Sequence, residues 1–195
     1  MNPIACAIAA LILICAPEAF AQTQPAPKPY VSVLKARDID GLQLGMTLQE
    51  ASQRMRLRSI GAGQFQGRNG NKEFDLGFTS LGHLYRIDYT QTLGRFAPDY
   101  QFGQQLAAKL TEKYGPPHEN SLPGGAASWR GYAKVRMDSG QILPREVESL
   151  SEYLGGGPNG EVQVNMKLMD FSVMWKDQAA QNKGPRNDGA GKLDF

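Results

Sequence analysis

The chain has 195 residues, 41% of them hydrophobic and 21% charged, and its 21 basic and 19 acidic side chains leave a formal charge of +2, a balance that by itself implies neither nucleic acid nor an acidic partner. Two cysteines and two histidines are too few and too scattered to frame a zinc site or a disulfide scaffold. The length suits one domain that buries roughly 70% of the surface its unfolded chain exposes.

Taken in chain order, the first feature is an apolar run from Ile4 to Cys15 followed by Ala19-Phe20-Ala21 and then Gln22. This is the small-x-small pattern of a secretory signal, with cleavage expected after Ala21, and the run is shorter than the ~20 residues of a membrane span. Ile14 precedes Cys15 where a lipidation site needs a small residue, so Cys6 and Cys15 are both expected to leave with residues 1–21. The expected location is periplasmic or secreted. Loss of Glu18 leaves 21 basic and 18 acidic residues in the mature chain. Residues 22–29, Gln-Thr-Gln-Pro-Ala-Pro-Lys-Pro, form a proline-rich spacer that cannot bury enough apolar surface to order itself.

The domain is expected over residues 30–177. Asp40 to Met55 combines an extended lead (Leu42, Leu44), a glycine turn at Gly45 and a helix start, with Thr47 as N-cap and Glu50 three residues on as a capping box. Leu48, Ala51 and Met55 give that helix one apolar face. The run Gly41-Leu42-Gln43-Leu44-Gly45-Met46-Thr47, with Glu50-Ala51, resembles the opening of small bacterial envelope proteins. These include outer-membrane-assembly lipoproteins of the SmpA/OmlA kind, with a fold similar to that of β-lactamase-inhibitory proteins. Lys113-Tyr114-Gly115-Pro116 resembles the helix ending of the same proteins. Their Gly-x-Pro after the first helix is replaced here by residues 56–63, and the resemblance carries over no functional residue.

Beyond that helix the pattern turns to period two. Asn69-Gly70 predicts a two-residue hairpin turn between strands over 64–68 and 71–79, with Phe74, Leu76 and Phe78 inward. A third strand sets Tyr85, Ile87 and Tyr89 against Arg86, Asp88 and Thr90. Pro98 and Asp99 open a second helix whose Phe102, Leu106, Leu110 and Tyr114 recur every four residues, and Gly115-Pro116-Pro117 stops it. A polar glycine loop from Glu119 to Ala127 leads to a strand with Trp129, Gly131, Ala133, Val135 and Met137 on one side. Pro144 to Leu154 reads as a short third helix, and 161–171 as a last strand with Val162, Val164, Met166 and Leu168 inward. Residues 178–195 lack periodicity and read as a disordered polar tail, whose closing Leu193-Asp194-Phe195 is more simply an unstructured end than a PDZ-type tag. The expected class is α+β, an antiparallel sheet of about four to five strands with two to three helices packed on one face.

The functional expectation centres on the other sheet face. Alternation gives it Glu73, Asp75, Arg86, Asp88, Arg130, Tyr132, Lys134, Arg136 and Lys167. Cross-strand ion pairing on a solvated face accounts for such a mixture at about 0.2–1 kcal/mol per pair. A docking face would use Arg86, Arg130, Tyr132, Lys134 and Arg136, because Tyr and Arg are enriched at interfaces. Arg54, Arg56 and Arg58, with Lys35, Arg37 and Arg68, form a basic cluster suited to anionic lipid headgroups or simply to solvent. No phosphate loop, dinucleotide fingerprint, nucleophile elbow or His-Glu-x-x-His helix occurs, and Glu146 and Glu148 read as a solvated helix face rather than an acid–base pair. His83 or His118 with a serine is the one arrangement left open for catalysis. The chain is therefore read as a non-catalytic envelope protein that needs no cofactor and binds another envelope protein. An inhibitor or immunity-type protein and a small hydrolase are the alternatives, and the oligomeric state is not written in the sequence.

Overall fold

The computed structural model describes residues 31–98, 100–120, 127–136, 141–157 and 159–182. The expected signal and spacer, Asp99, most of the glycine loop and residues 183–195 lie outside them. The elements are β1 (Asp38–Ile39), β2 (Leu42–Gln43), α1 (Leu48–Arg54), β3 (Leu57–Gly61), β4 (Gln64–Asn69), β5 (Lys72–Phe78), β6 (Leu84–Gly94), α2 (Tyr100–Tyr114), β7 (Glu119–Asn120), β8 (Ala127–Arg136), β9 (Ile142–Gly156), β10 (Val162–Asp170) and α3 (Phe171–Asn182). β1 and β2 form a separate two-stranded ribbon, while the other eight strands make one antiparallel sheet in the order β3-β4-β5-β6-β10-β9-β8-β7. The chain thus runs helix and four-strand meander twice, and the two meanders meet where β6 pairs with β10.

The expected α+β class with a sheet of four to five strands is overturned: the fold is mostly β, since seven strands of the large sheet have five or more residues and β7 has two. Two local readings account for the difference. Residues 57–61, for which no element is expected from the sequence, pair with β4 as an edge strand. The helix expected over Pro144 to Leu154 is instead the longest strand, β9. Val147, Leu150 and Leu154 fall at helical spacing only because β9 carries a bulge: Gly131 pairs with Glu148 but Tyr132 pairs with Glu146, leaving Val147 as an extra residue. Pro144 is tolerated because it lies where β9 pairs with β8 alone.

The inward face follows the expected alternation. Leu76, Ile87, Leu168, Leu150 and Trp129 stand in one cross-strand row over five strands, and each is 1% exposed or less. Full burial of each such side chain stabilises by about 1.5–3 kcal/mol. Tyr85, expected inward, is displaced by a register shift at Gly77 and Phe78, so that Leu84 is buried and the Tyr85 ring lies over Gly77. The β4–β5 turn is also one residue later than expected. Asn69 pairs with Lys72, and Gly70 takes the positive φ of 61° as the first of two central residues.

α1 begins as expected, with Glu50 N donating to Thr47 Oγ1 and Thr47 N donating to Glu50 Oε2. The bond from Thr47 N, and after it a second from Thr47 Oγ1 to the same Oε2, hold the Glu50 carboxyl below its ordinary range. α2 ends at Gly115, whose φ of 92° is left-handed. Trp129 Nε1 donates to the freed Gly115 carbonyl at 2.9 Å, and the Tyr114 ring packs 6.0 Å from the Trp129 ring. Tyr114 donates its hydroxyl to the Asp38 carbonyl, and burial, with Asp38 adding to it, pushes that phenol upward.

The segment before β1 is held to the sheet by charge. Glu148, fully buried, accepts from Ser32 Oγ, Val33 N and Arg37 Nε, while Arg37 Nη2 also pairs with buried Asp170. Asp170 additionally accepts from Ser172 N as the N-cap of α3. α3 was not expected, and it runs to Asn182 through the start of the segment read as a polar tail.

Candidate interaction face

The structure divides the five expected contact residues into two groups. Arg86 is largely covered, with Nε 3.0 Å from Asp88 Oδ2, and Lys167 approaches the same carboxylate at 3.8 Å. Burial pushes the Asp88 carboxyl upward, and Asp75 directly across the strand pair adds to this; Arg86 and Lys167 pull it back. Arg68 lies 3.7 Å from Glu73 in the next row. This half of the open face is the cross-strand ion pairing that solvation alone explains.

Arg130, Tyr132, Lys134 and Arg136 belong to β8, at the other side of the sheet. Arg86 and Arg130 share a row, separated by Met169 and Ser149 on the strands between. Three strand spacings of ~4.8 Å put those two backbones about 14 Å apart.

The distinctive geometry lies past Arg130. β10 stops pairing with β9 at Asp170 and Glu148, and β7 pairs with β8 only at Ala127 and Ser128. From Tyr132 opposite Glu146 to Arg136 opposite Ile142, β8 and β9 pair only with each other among the described residues. They form a two-stranded ribbon that extends past the sheet. Tyr132 is 55% exposed and Leu143 is exposed on the partner strand. Lys134 is exposed and forms no ion pair among the described residues.

The ribbon's outer edge has a defined hydrogen-bonding phase. His118 N donates to the Ser128 carbonyl at 2.8 Å, and Arg130 N donates to His118 Nδ1 at 3.2 Å. Even-numbered residues of β8 therefore turn their backbone groups away from β9, and the period of two carries this on to Tyr132, Lys134 and Arg136. His118 is thus the stop that ends the covered part of the edge, a role its sequence context did not reveal.

The basic cluster splits. Arg56, Arg58 and Arg68 line a concavity of about 450 Å³ together with Glu73 and Asp75, which offset two of the three charges. Arg54 lines a different concavity with Lys35 and Arg37, and Arg37 is committed to Glu148 and Asp170.

His83 has a partner that its sequence context gave no sign of. Its Nδ1 lies 2.9 Å from Oδ2 of the buried Asp177 on α3; Thr79 Oγ1 donates to that same oxygen, and His83 N donates to Thr79 Oγ1. An aspartate that orients an imidazole is half of a nucleophilic triad. The neighbouring Ser80 accepts from Gln181 Nε2, and among the described residues no hydroxyl is hydrogen-bonded to His83 Nε2. The same bonds tie α3 to the β5–β6 turn.

No described helix is long and apolar enough to cross a membrane. In comparisons with known proteins, the chain matches no family model, no curated protein and no solved structure.

Proposed function

We propose that the protein is a non-catalytic binding protein of the periplasm or the secreted fraction, which engages another envelope protein through the β8–β9 ribbon. The supporting observation is a ribbon that leaves the sheet at Tyr132, with one strand edge unpaired among the described residues and Tyr132 and Leu143 exposed on it. An exposed tyrosine beside a cationic side chain is the composition from which interface hot spots are drawn. The signal-like start and the resemblance of Gly41 to Thr47 to envelope proteins support the location.

The test is site-specific photocrosslinking in the native host, using the full chain with a benzophenone amino acid at Tyr132, and at Leu81 on the β5–β6 turn as the control. Capture of one or two envelope proteins from position 132 and not from 81 is the expected result. Equal capture at both positions, or none, removes the ribbon from consideration.

The oriented His83 favours a second reading, a small hydrolase. In that case the purified mature chain hydrolyses activated esters, and His83→Ala abolishes the reaction while leaving the circular dichroism spectrum intact. Absence of such a reaction in the parent chain ends that reading.

A further inference from the structure

The geometry points to strand addition: an extended, acidic segment of a partner protein pairs with the outer edge of β8 from Tyr132 to Arg136. This deepens the ribbon-binding reading and rests on it.

The backbone is the first part of the case. His118 satisfies the edge as far as Arg130, and beyond it the N–H and carbonyl groups of Tyr132, Lys134 and Arg136 point away from β9. A five-residue edge at ~3.4 Å per residue spans about 17 Å, enough for a short strand to dock by main-chain hydrogen bonds. Backbone groups so placed are what an added strand needs, and they set its register.

Charge is the second part and selects the occupant. From Tyr132 to Arg136 β8 reads Tyr-Ala-Lys-Val-Arg, with cations at the alternate positions 134 and 136 and no acid. Across the ribbon, Glu146 stands opposite Tyr132 and Pro144 opposite Lys134, so that Lys134 faces no carboxylate on β9. An incoming strand with Glu or Asp at alternate positions places its carboxylates beside Lys134 and its neighbours, where opposite charges on adjacent strands stabilise. A second copy of this chain added edge to edge sets the same cations against one another, and like charges across a strand pair are destabilising. The occupant is therefore an acidic extended segment of another protein.

The probe is a blocked nine-residue peptide alternating Glu with Thr or Val, compared with its Lys-for-Glu counterpart, titrated by fluorescence anisotropy against the full mature chain. The Glu peptide binds and the Lys peptide binds at least about tenfold more weakly. Lys134→Glu narrows or reverses that ratio. Lys134→Pro removes an outward N–H without removing a bond to β9, and weakens the Glu peptide more than Lys134→Ala does. Should Lys134→Pro disturb the fold, N-methylation of alternate peptide amides on the face toward β8 supplies the same test from the other partner, with a loss of about tenfold or more.

Equal binding of both peptides, or indifference to both the proline and the N-methyl groups, overturns strand addition. Sedimentation as a dimer that Lys134→Pro converts to a monomer also overturns it, because the edge would then be filled by a second copy. Photocapture at Tyr132 that persists unchanged in Lys134→Pro discards strand addition while keeping the ribbon as the binding element. Loss of capture in the parent chain discards both.

Discussion

Glu152 gives the most quantitative test of the fold. It projects from β9 into the core, opposite Met166 on one side and Ala127 on the other, is 4% exposed, and its Oε1 has no hydrogen-bond partner among the described residues. Burial pushes its carboxyl from the ordinary 4.5 up to about 7, with no charge contributing to the shift. Between those two pH values the folded protein keeps a proton that the unfolded chain has released, so stability falls as pH rises through this window. At about 1.4 kcal/mol per pH unit, the folded state should be about 3 kcal/mol less stable above pH 7 than below pH 4.5 on account of this one group. Glu152→Gln keeps the shape and removes the ionisation. Urea unfolding of parent and variant at pH 4.5 and pH 8 isolates the effect, because the other carboxylates cancel in the difference. The variant should gain about 3 kcal/mol relative to the parent on going from pH 4.5 to pH 8. A difference that stays flat with pH would mean that the carboxylate ionises normally, and the assignment of Glu152 to an unpartnered core position would be wrong.

Two further substitutions probe other parts of the fold. Arg37→Ala leaves Glu148 and Asp170, 0% and 2% exposed, as adjacent buried carboxylates without their shared cation. It should cost about 3–5 kcal/mol in urea unfolding at pH 7, and a cost below ~1 kcal/mol would show that the segment from Ser32 to Arg37 is not held as described. Gly63 has a φ of 67°, and an added Cβ would stand 2.5 Å from the Phe78 carbonyl oxygen. Gly63→Ala should therefore destabilise by about 2 kcal/mol or more on thermal unfolding, whereas Gly70→Ala, with open space around its Cβ, should cost about 1 kcal/mol.

Local chemistry was legible where one short segment contains all of its own determinants. The capping box at Thr47 and Glu50, the glycine stop at Gly115 and the alternation of Phe74, Leu76 and Phe78 each depend on residues a few positions apart. β10 was legible for the same reason. β9 was not. Its carboxylates Glu146 and Glu148 read as a solvated helix face, and a bulge at Val147 hides the period of two. Glu148 is nonetheless buried because its counter-ion, Arg37, arrives from 111 residues earlier in the chain. α3 has little periodicity of its own, and it is anchored by Asp177 to Thr79 and His83, 98 and 94 residues away.

The candidate face divides in the same way. Period two alone placed Arg86, Arg130, Tyr132, Lys134 and Arg136 on one side of a sheet, because alternation is a property of each strand's backbone. Which of them is committed and which is available is a question of neighbours. Arg86 meets Asp88 in the middle of the sheet, whereas Tyr132 and Lys134 lie beyond the last residue that β10 pairs and past the ring of His118. The sequence by itself determined the side chains that share a face, since that depends on spacing within one strand. Only the tertiary structure decided where the sheet ends, since an edge left unpaired among the described residues is defined by strands from distant parts of the chain stopping short of it.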